Sequence, residues 1–289
     1  MSKVWLITGS GRGLGRAILE AAINNGDCVV ATARKLESLL DVRSRYGNKI
    51  HPLVLDVTDE IAAQSAVDLT MKNFGRLDIV VNNAGYGSVV PFEQTSAASF
   101  RAQIETNLYG VINLARAAVP VMRRQRAGHI INVSSVGGRS GTPGLSAYQA
   151  AKWAVGGFTE VLAKEVATFG VKVISLEPGG MRTDWGFKAT KDAPALLPEY
   201  ETSVGAALKM LTAYAGHEVG DPEKIAKLVV DLTSHETLPS HLLLGSDALF
   251  VCHQADSVRQ KATSEWAKVS ASTDFDDTDL SLLAKLVQP

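Results

Sequence analysis

The chain of 289 residues carries a formal charge of −1, with 46% hydrophobic and 20% charged residues. That length can bury a large core, and a near-neutral charge without a long Lys/Arg run gives no electrostatic reason to expect a nucleic-acid partner. Cys28 and Cys252 are the only cysteines, and the six histidines show no His-x-x-x-His or His-Glu-x-x-His spacing, which excludes a disulfide framework and leaves no metal site to expect.

From the N-terminus, residues 4–7 form a short apolar run ending at Thr8-Gly9. Such a run suits a buried first strand better than a signal peptide. Runs at 29–32, 50–55, 79–81, 129–133 and 171–176 read as further strands, hydrophobic throughout, as strands covered on both faces require. Helical patterns over 15–25, 36–46, 61–74, 100–126 and 147–169 alternate with them, and 242–244 offers one more strand. The alternation predicts an α/β fold: a doubly wound, Rossmann-type parallel sheet with helices on both faces, in a single domain spanning 1–289. No apolar stretch reaches the roughly 18 residues of a membrane span, so a cytoplasmic protein without a membrane partner is expected. Residues 181–220, with Pro194 and Pro198, break the alternation and read as a substrate-lid insertion. Residues 254–289 read as a helical tail: an exposed helix, an acidic stretch at 274–279, then an apolar segment at 280–287. It is a solvated appendage or a contact with a partner subunit.

Thr8-Gly9-Ser10-Gly11-Arg12-Gly13-Leu14-Gly15 lies between the first strand and the first helix. Glycines there allow positive φ and close approach to a pyrophosphate, and the following helix aims its free amides at the phosphates. Arg16 stands where a Gly-x-Gly-x-x-Gly fingerprint needs its third glycine, so the spacing is Gly-x-x-x-Gly-x-Gly. The candidates here are Gly9, Ser10, Arg12, Gly13, Leu14 and Gly15; the plain alternative is a tight turn. After the second strand comes Ala33-Arg34-Lys35, without the carboxylate that usually holds an NAD ribose. Arg34, helped by Arg12, suits a 2′-phosphate, which favours NADP(H) over NAD(H). Alternatively, Arg34 is only a solvated helix start.

Further on lie Asn82-Asn83-Ala84-Gly85, Asn107, Ser134-Ser135, Tyr148-Gln149-Ala150-Ala151-Lys152, Pro178-Gly179 and Thr183. Together with the glycine loop, and in this order, they resemble the short-chain dehydrogenase/reductase family in its single-domain branch, from about Lys3 to Thr183. The resemblance implies a sheet of about seven strands in the order 3-2-1-4-5-6-7, with the active site beyond the strands' carboxyl ends. It implies that Asn107, Ser135, Tyr148 and Lys152 are catalytic, with Lys152 also binding the nicotinamide ribose and Asn107 holding a water that relays protons from Lys152. It implies that Asp56 and Val57 contact adenine, that Asn83, Ala84 and Gly85 support the cofactor with Pro178 and Gly179, and that Thr183 meets the carboxamide. A homodimer through 100–126 and 147–169 follows from the same pattern, with a tetramer also open.

The chemistry accounts for the residue types. A phenol with an ordinary pKa near 10 is a poor base at neutral pH. Lys152, four residues on, shares a helix face with Tyr148, and its ammonium is expected to lower that pKa. Tyr148 then exchanges a proton with a carbonyl or alcohol, while Ser135 hydrogen-bonds the oxygen where charge develops. Plainer readings stand beside these: Asn107 bonded only to backbone, Ser134 and Ser135 as turn formers, Asp56 as a helix cap. Leu145, Met181, Trp185 and Phe187 suggest a partly hydrophobic pocket, or a segment that simply packs on the core; Arg139 and Arg182 are candidate clamps for a carboxylate. A carbonyl or secondary alcohol is the expected small-molecule substrate. The alternatives are an NAD(H)-dependent alcohol dehydrogenase on the same site, a non-catalytic dinucleotide-binding regulator, and an epimerase or dehydratase that uses its nicotinamide transiently.

Overall fold

The computed structural model describes residues 2–191, 193–279 and 281. In chain order the elements are β1 Val4–Ile7, α1 Gly13–Asn24, β2 Cys28–Ala33, α2 Leu40–Tyr46, β3 Ile50–Val54, α3 Glu60–Phe74, β4 Ile79–Asn82, α4 Ala97–Ile104, α5 Gly110–Gln125 and β5 Gly128–Val133. There follow α6 Ser146–Val166, β6 Val171–Pro178, α7 Trp185–Lys191, α8 Ala206–Tyr214, α9 Pro222–Leu232, β7 His241–Leu244 and α10 Ser246–Ala271. The strands form one parallel sheet in the order β3-β2-β1-β4-β5-β6-β7, as expected.

The sheet is buried on both faces because successive side chains of a strand point to opposite sides. Trp5, Ile7, Val29, Ala31, Ile79 and Val81 join one core with α1 and α9. Leu6, Val30 and Val80, which lie side by side in the register, join the other with α3, α5 and α6. All seven strands run the same way, so their carboxyl ends, and the turns after them, gather along one edge.

Several helices differ from the sequence reading. Helix α1 begins at Gly13, so the last two glycines of the loop are its first turn. The helix expected over 100–126 begins at Ala97 and is interrupted by a π turn at Glu105–Tyr109, which carries Asn107. The alternation does not single out α9, although Asp221 caps it by accepting from the amides of Glu223 (2.9 Å) and Lys224 (3.3 Å), with Pro222 at its first position. Helix α10 starts before the expected tail; among its described residues Ala248 and Cys252 are buried, and the part beyond them lies mostly in solvent. Most of the apolar segment expected at 280–287 lies outside the described residues.

One strand residue carries a prediction. Burial pushes the His129 imidazole down from 6.5 to about 4, with Lys172 and Lys3 acting the same way. An unfolded chain therefore takes up a proton near pH 6.5 that the native state refuses until about pH 4. Stability from this group is present above 6.5 and lost as pH falls towards 4, a loss of about 3 kcal/mol. Urea titrations between pH 7 and 4 should show this acid limb, and His129→Gln should flatten it.

Candidate active site

The glycine loop and the turn after β4 are built as one unit. Gly9 and Gly13 have φ of +66° and +55°, the region where other residues are strained. A Cβ on Gly15 would stand 2.5 Å from the Gly9 carbonyl oxygen, and one on Gly9 would stand 3.0 Å from Ala84 Cα. Thr8 Oγ1 accepts from the amides of Asn83 (2.9 Å) and Ala84 (3.0 Å), and Asn83 Nδ2 donates to the Thr8 carbonyl (2.9 Å). Ser10 is spent on the scaffold: its amide donates to Thr32 O (2.9 Å) and its hydroxyl to Ile7 O (2.7 Å). Leu14 is buried in the core. The first helical hydrogen bond of α1 runs from the Arg16 amide to Arg12 O (3.2 Å), so the amides just ahead of it face the loop mouth without helical partners. Arg12 forms an ion pair with Asp184, which also takes Lys188.

Arg34 stands exposed just after β2, beside Asp56 and Tyr86, and together they line one cleft. Asp56 Oδ1 accepts from the Thr58 amide (3.0 Å) and hydroxyl (2.8 Å). Those bonds, the amide's foremost, hold its carboxyl below the ordinary carboxylate range. It does not cap α3; Asp59 does, accepting from the Ala62 amide (2.9 Å). Val57 is buried, against the position a Cβ of Gly110 would fill.

At the ends of β4 and β5 the expected catalytic residues converge. Tyr148 and Lys152 lie one turn apart on α6, both buried, because α6 lays this face on the sheet. Lys152 Nζ donates to Val133 O at the end of β5 (2.7 Å) and stands 5.7 Å from the centre of the Tyr148 ring. Ser134 Oγ donates to Lys152 O (3.1 Å), tying helix to strand. Ser135, in extended backbone, is half-buried, and its Oγ accepts from the Gly137 amide (3.0 Å). Asn107 is fully buried; its Nδ2 donates to Tyr86 O and Gln103 O (both 2.8 Å), and its Oδ1 accepts from the Tyr86 amide (3.1 Å). Its side chain thus bonds to backbone, and it is the π turn around it, a frequent mark of functional sites, that opens the helix here. A Cβ on Gly85 would press on Asn107 Oδ1 at 2.6 Å and reach within 3.6 Å of Lys152 Nζ.

The expectation of a lowered Tyr148 pKa needs correction. Burial pushes the phenol up to about 12, against which the Ser135 hydroxyl acts only partly. The same burial pushes Lys152 down to about 8. Desolvation is the largest cause at both groups, and the hydrogen bond that the Lys152 ammonium makes goes to the Val133 carbonyl.

Pro178 ends β6, and the Gly179 amide donates to Leu244 O (3.0 Å). The Gly180 amide donates to Asp247 of α10 (2.7 Å). Thr183 faces the glycine loop, 3.7 Å from where a Gly13 Cβ would be, and its Oγ1 accepts from the Trp185 amide (3.3 Å). Segment 181–220 covers Tyr148: Trp185 lies with its ring centre 5.3 Å from that of Tyr148. Val89, Leu145, Tyr148 and Val204 form a buried apolar cluster, with Leu196, Tyr200, Leu208 and Leu211 packed on it. Arg139 is held by the buried Glu177 (3.3 Å), and Arg182 Nε donates to Glu218 O (2.9 Å), so the two candidate carboxylate clamps already have partners. Gly87 escaped the sequence reading; a Cβ there would stand 3.1 Å from the Tyr148 ring and 3.0 Å from Trp185. Its signal was a second glycine two positions past the Asn-Asn-Ala-Gly turn.

Residues 3–194 match a family model described as short chain dehydrogenase. The chain is 46% identical over 274 residues to oxidoreductase BOA17 of Botryotinia fuckeliana, covering 94% of this chain and 100% of that one. Its fold is similar to a short-chain dehydrogenase crystal structure from Streptomyces avermitilis, with a TM-score of 0.86, 38% identity, and 95% and 100% of the two chains covered. A short chain dehydrogenase/reductase from Burkholderia phymatum in complex with NAD gives a TM-score of 0.76 at 25% identity over 96% of this chain and 97% of that one; another similar structure holds NADP.

Proposed function

The chain belongs to the short-chain dehydrogenase family of oxidoreductases, which bind a nicotinamide dinucleotide, and on that premise we propose that it transfers hydride between NADP(H) and a carbonyl or secondary alcohol. The observation that carries this reading is the burial of Tyr148 and Lys152 on one face of α6, with Ser135 beside them and the glycine loop across the same sheet edge. The glycines where a Cβ would collide, the partnerless amides opening α1 and the exposed Arg34 fit a dinucleotide with a phosphorylated ribose. When bound, the nicotinamide supplies or accepts the hydride. Ser135 orients the substrate oxygen, Tyr148 gives it or takes from it a proton, and Lys152 holds a positive charge behind the phenol. A cytoplasmic location, the 181–220 segment as lid, and a homodimer through α5 and α6, where Trp153 and Val161 are exposed, belong to the same reading. Sedimentation as a monomer would remove the dimer.

At neutral pH the Tyr148 phenol is protonated, which is the form that carbonyl reduction needs. With Tyr148 near 12 and Lys152 near 8, the phenol keeps its proton while the ammonium loses its own as pH rises through about 8. The reduction rate should therefore be level below pH 8 and fall above it, and a Lys152→Met variant should lack that limb; a rate rising through pH 8 would contradict the assignment. Arg34→Ala should raise the KM for NADPH about 10–100-fold, the loss of one or two charge-assisted bonds, and leave that for NADH almost unchanged. Equal efficiency with both cofactors, unaltered by that substitution, would remove the NADP(H) preference. The first test of the whole reading is absorbance at the nicotinamide band across a panel of carbonyls and alcohols. Tight cofactor without net turnover would instead point to the epimerase or dehydratase alternative.

A further inference from the structure

The groups that the 181–220 segment brings onto Tyr148 are of one chemical kind. Trp185 lies against the phenol ring, Val204 meets Val89 where a Gly144 side chain would stand, and Leu208 and Leu211 pack on the same apolar cluster. The nearby cations have other duties, and the nearest, the Lys152 ammonium, donates to the Val133 carbonyl (2.7 Å). Arg139 is held by Glu177 and, more distantly, by Asp256 (3.8 Å); Arg182 is fastened to the Glu218 carbonyl; Arg12 and Lys188 share Asp184. An anionic substrate reaching Tyr148 would have to strip one of these partners or leave its charge unpaired in an apolar enclosure, and either is costly.

We propose that the substrate is a neutral carbonyl compound with an apolar body, an alkyl or aryl ketone free of carboxylate, phosphate or ammonium groups, seated between Tyr148 and the 181–220 segment. This rests on the hydride-transfer reading above and narrows it. In the reducing direction the carbonyl carbon gains the hydride of the reduced dinucleotide and the oxygen gains the Tyr148 proton. The products are the secondary alcohol and the oxidised dinucleotide, and the phenolate regains its proton from solvent. Hydrocarbon groups on the substrate replace those that the segment now buries against itself, so affinity should grow with chain length.

The test is a matched series assayed with NADPH: 2-alkanones of increasing length, and 4-phenyl-2-butanone beside its para-carboxylate. We expect kcat/KM to rise about threefold per added methylene until the enclosure is full, and the neutral aryl ketone to exceed its carboxylate about 100-fold. Trp185→Ala should cost the neutral ketone about tenfold without changing the dissociation constant of NADPH, which separates loss of the substrate wall from loss of the fold. A carboxylate turned over as fast as its neutral partner, or alkanones indifferent to length, would overturn the proposal. So would NADPH binding measured by titration with turnover of neither series. Failure to bind any nicotinamide dinucleotide would instead remove the hydride-transfer reading on which it rests.

Discussion

Tyr148→Phe is expected to lower kcat by about 10²–10⁴, the usual worth of a positioned proton transfer, while leaving cofactor affinity and thermal stability near their original values. The reasons lie in what surrounds the side chain. The phenol is buried against Trp185 with its ring also close to Gly87, and phenylalanine preserves the whole of that packing. The hydroxyl is lost, and with it the proton for the substrate oxygen. Steady-state kinetics beside titration of NADPH separates the two effects. Undiminished turnover in the variant would revive a role outside redox chemistry, such as the dinucleotide-binding regulator.

Gly15→Ala should raise the dissociation constant of the dinucleotide about 100-fold, equivalent to roughly 3 kcal/mol. One methyl group is enough because its neighbours cannot yield cheaply. The Cβ would meet the Gly9 carbonyl at 2.5 Å and the Asn83 side-chain amide, the two groups that lock the loop to the turn after β4. Relief requires the loop to move, and the amides opening α1 move with it. Gly157→Ala is the control: among the described residues nothing lies within 4 Å of that Cβ, and alanine is the better helix former. Calorimetric titration of both variants should show weak binding in the first and ordinary binding in the second. Ordinary binding in Gly15→Ala would show that the loop does not hold the cofactor.

Much of this was legible in the chain itself. The seven apolar runs became seven strands, because a strand covered on both faces must be apolar throughout, and they pair in the order that the family resemblance implied. The four-residue spacing of Tyr148 and Lys152 put them on one helix face because helices repeat that way. Less legible was α9, whose signal was an Asp-Pro start with no strand directly ahead of it. The π turn at Glu105–Tyr109 was also hidden, since it accompanies long-range bonds from Asn107 to the backbone of Tyr86, which local sequence does not show.

Local order and residue type therefore determined the sheet, the glycine cradle and the chemical kind of the candidate site. Only the tertiary structure decided how those groups are charged and what they are bonded to. Tyr148 and Lys152 are neighbours in sequence, yet their ionisation follows from burial by distant segments, which raises a phenol pKa that the spacing alone predicts to be lowered. Arg139 and Arg182 looked available as clamps until Glu177 and Glu218, each more than 30 residues away along the chain, were found beside them. A sequence pattern shows which groups are present, but solvation and pairing depend on contacts that the fold alone brings together.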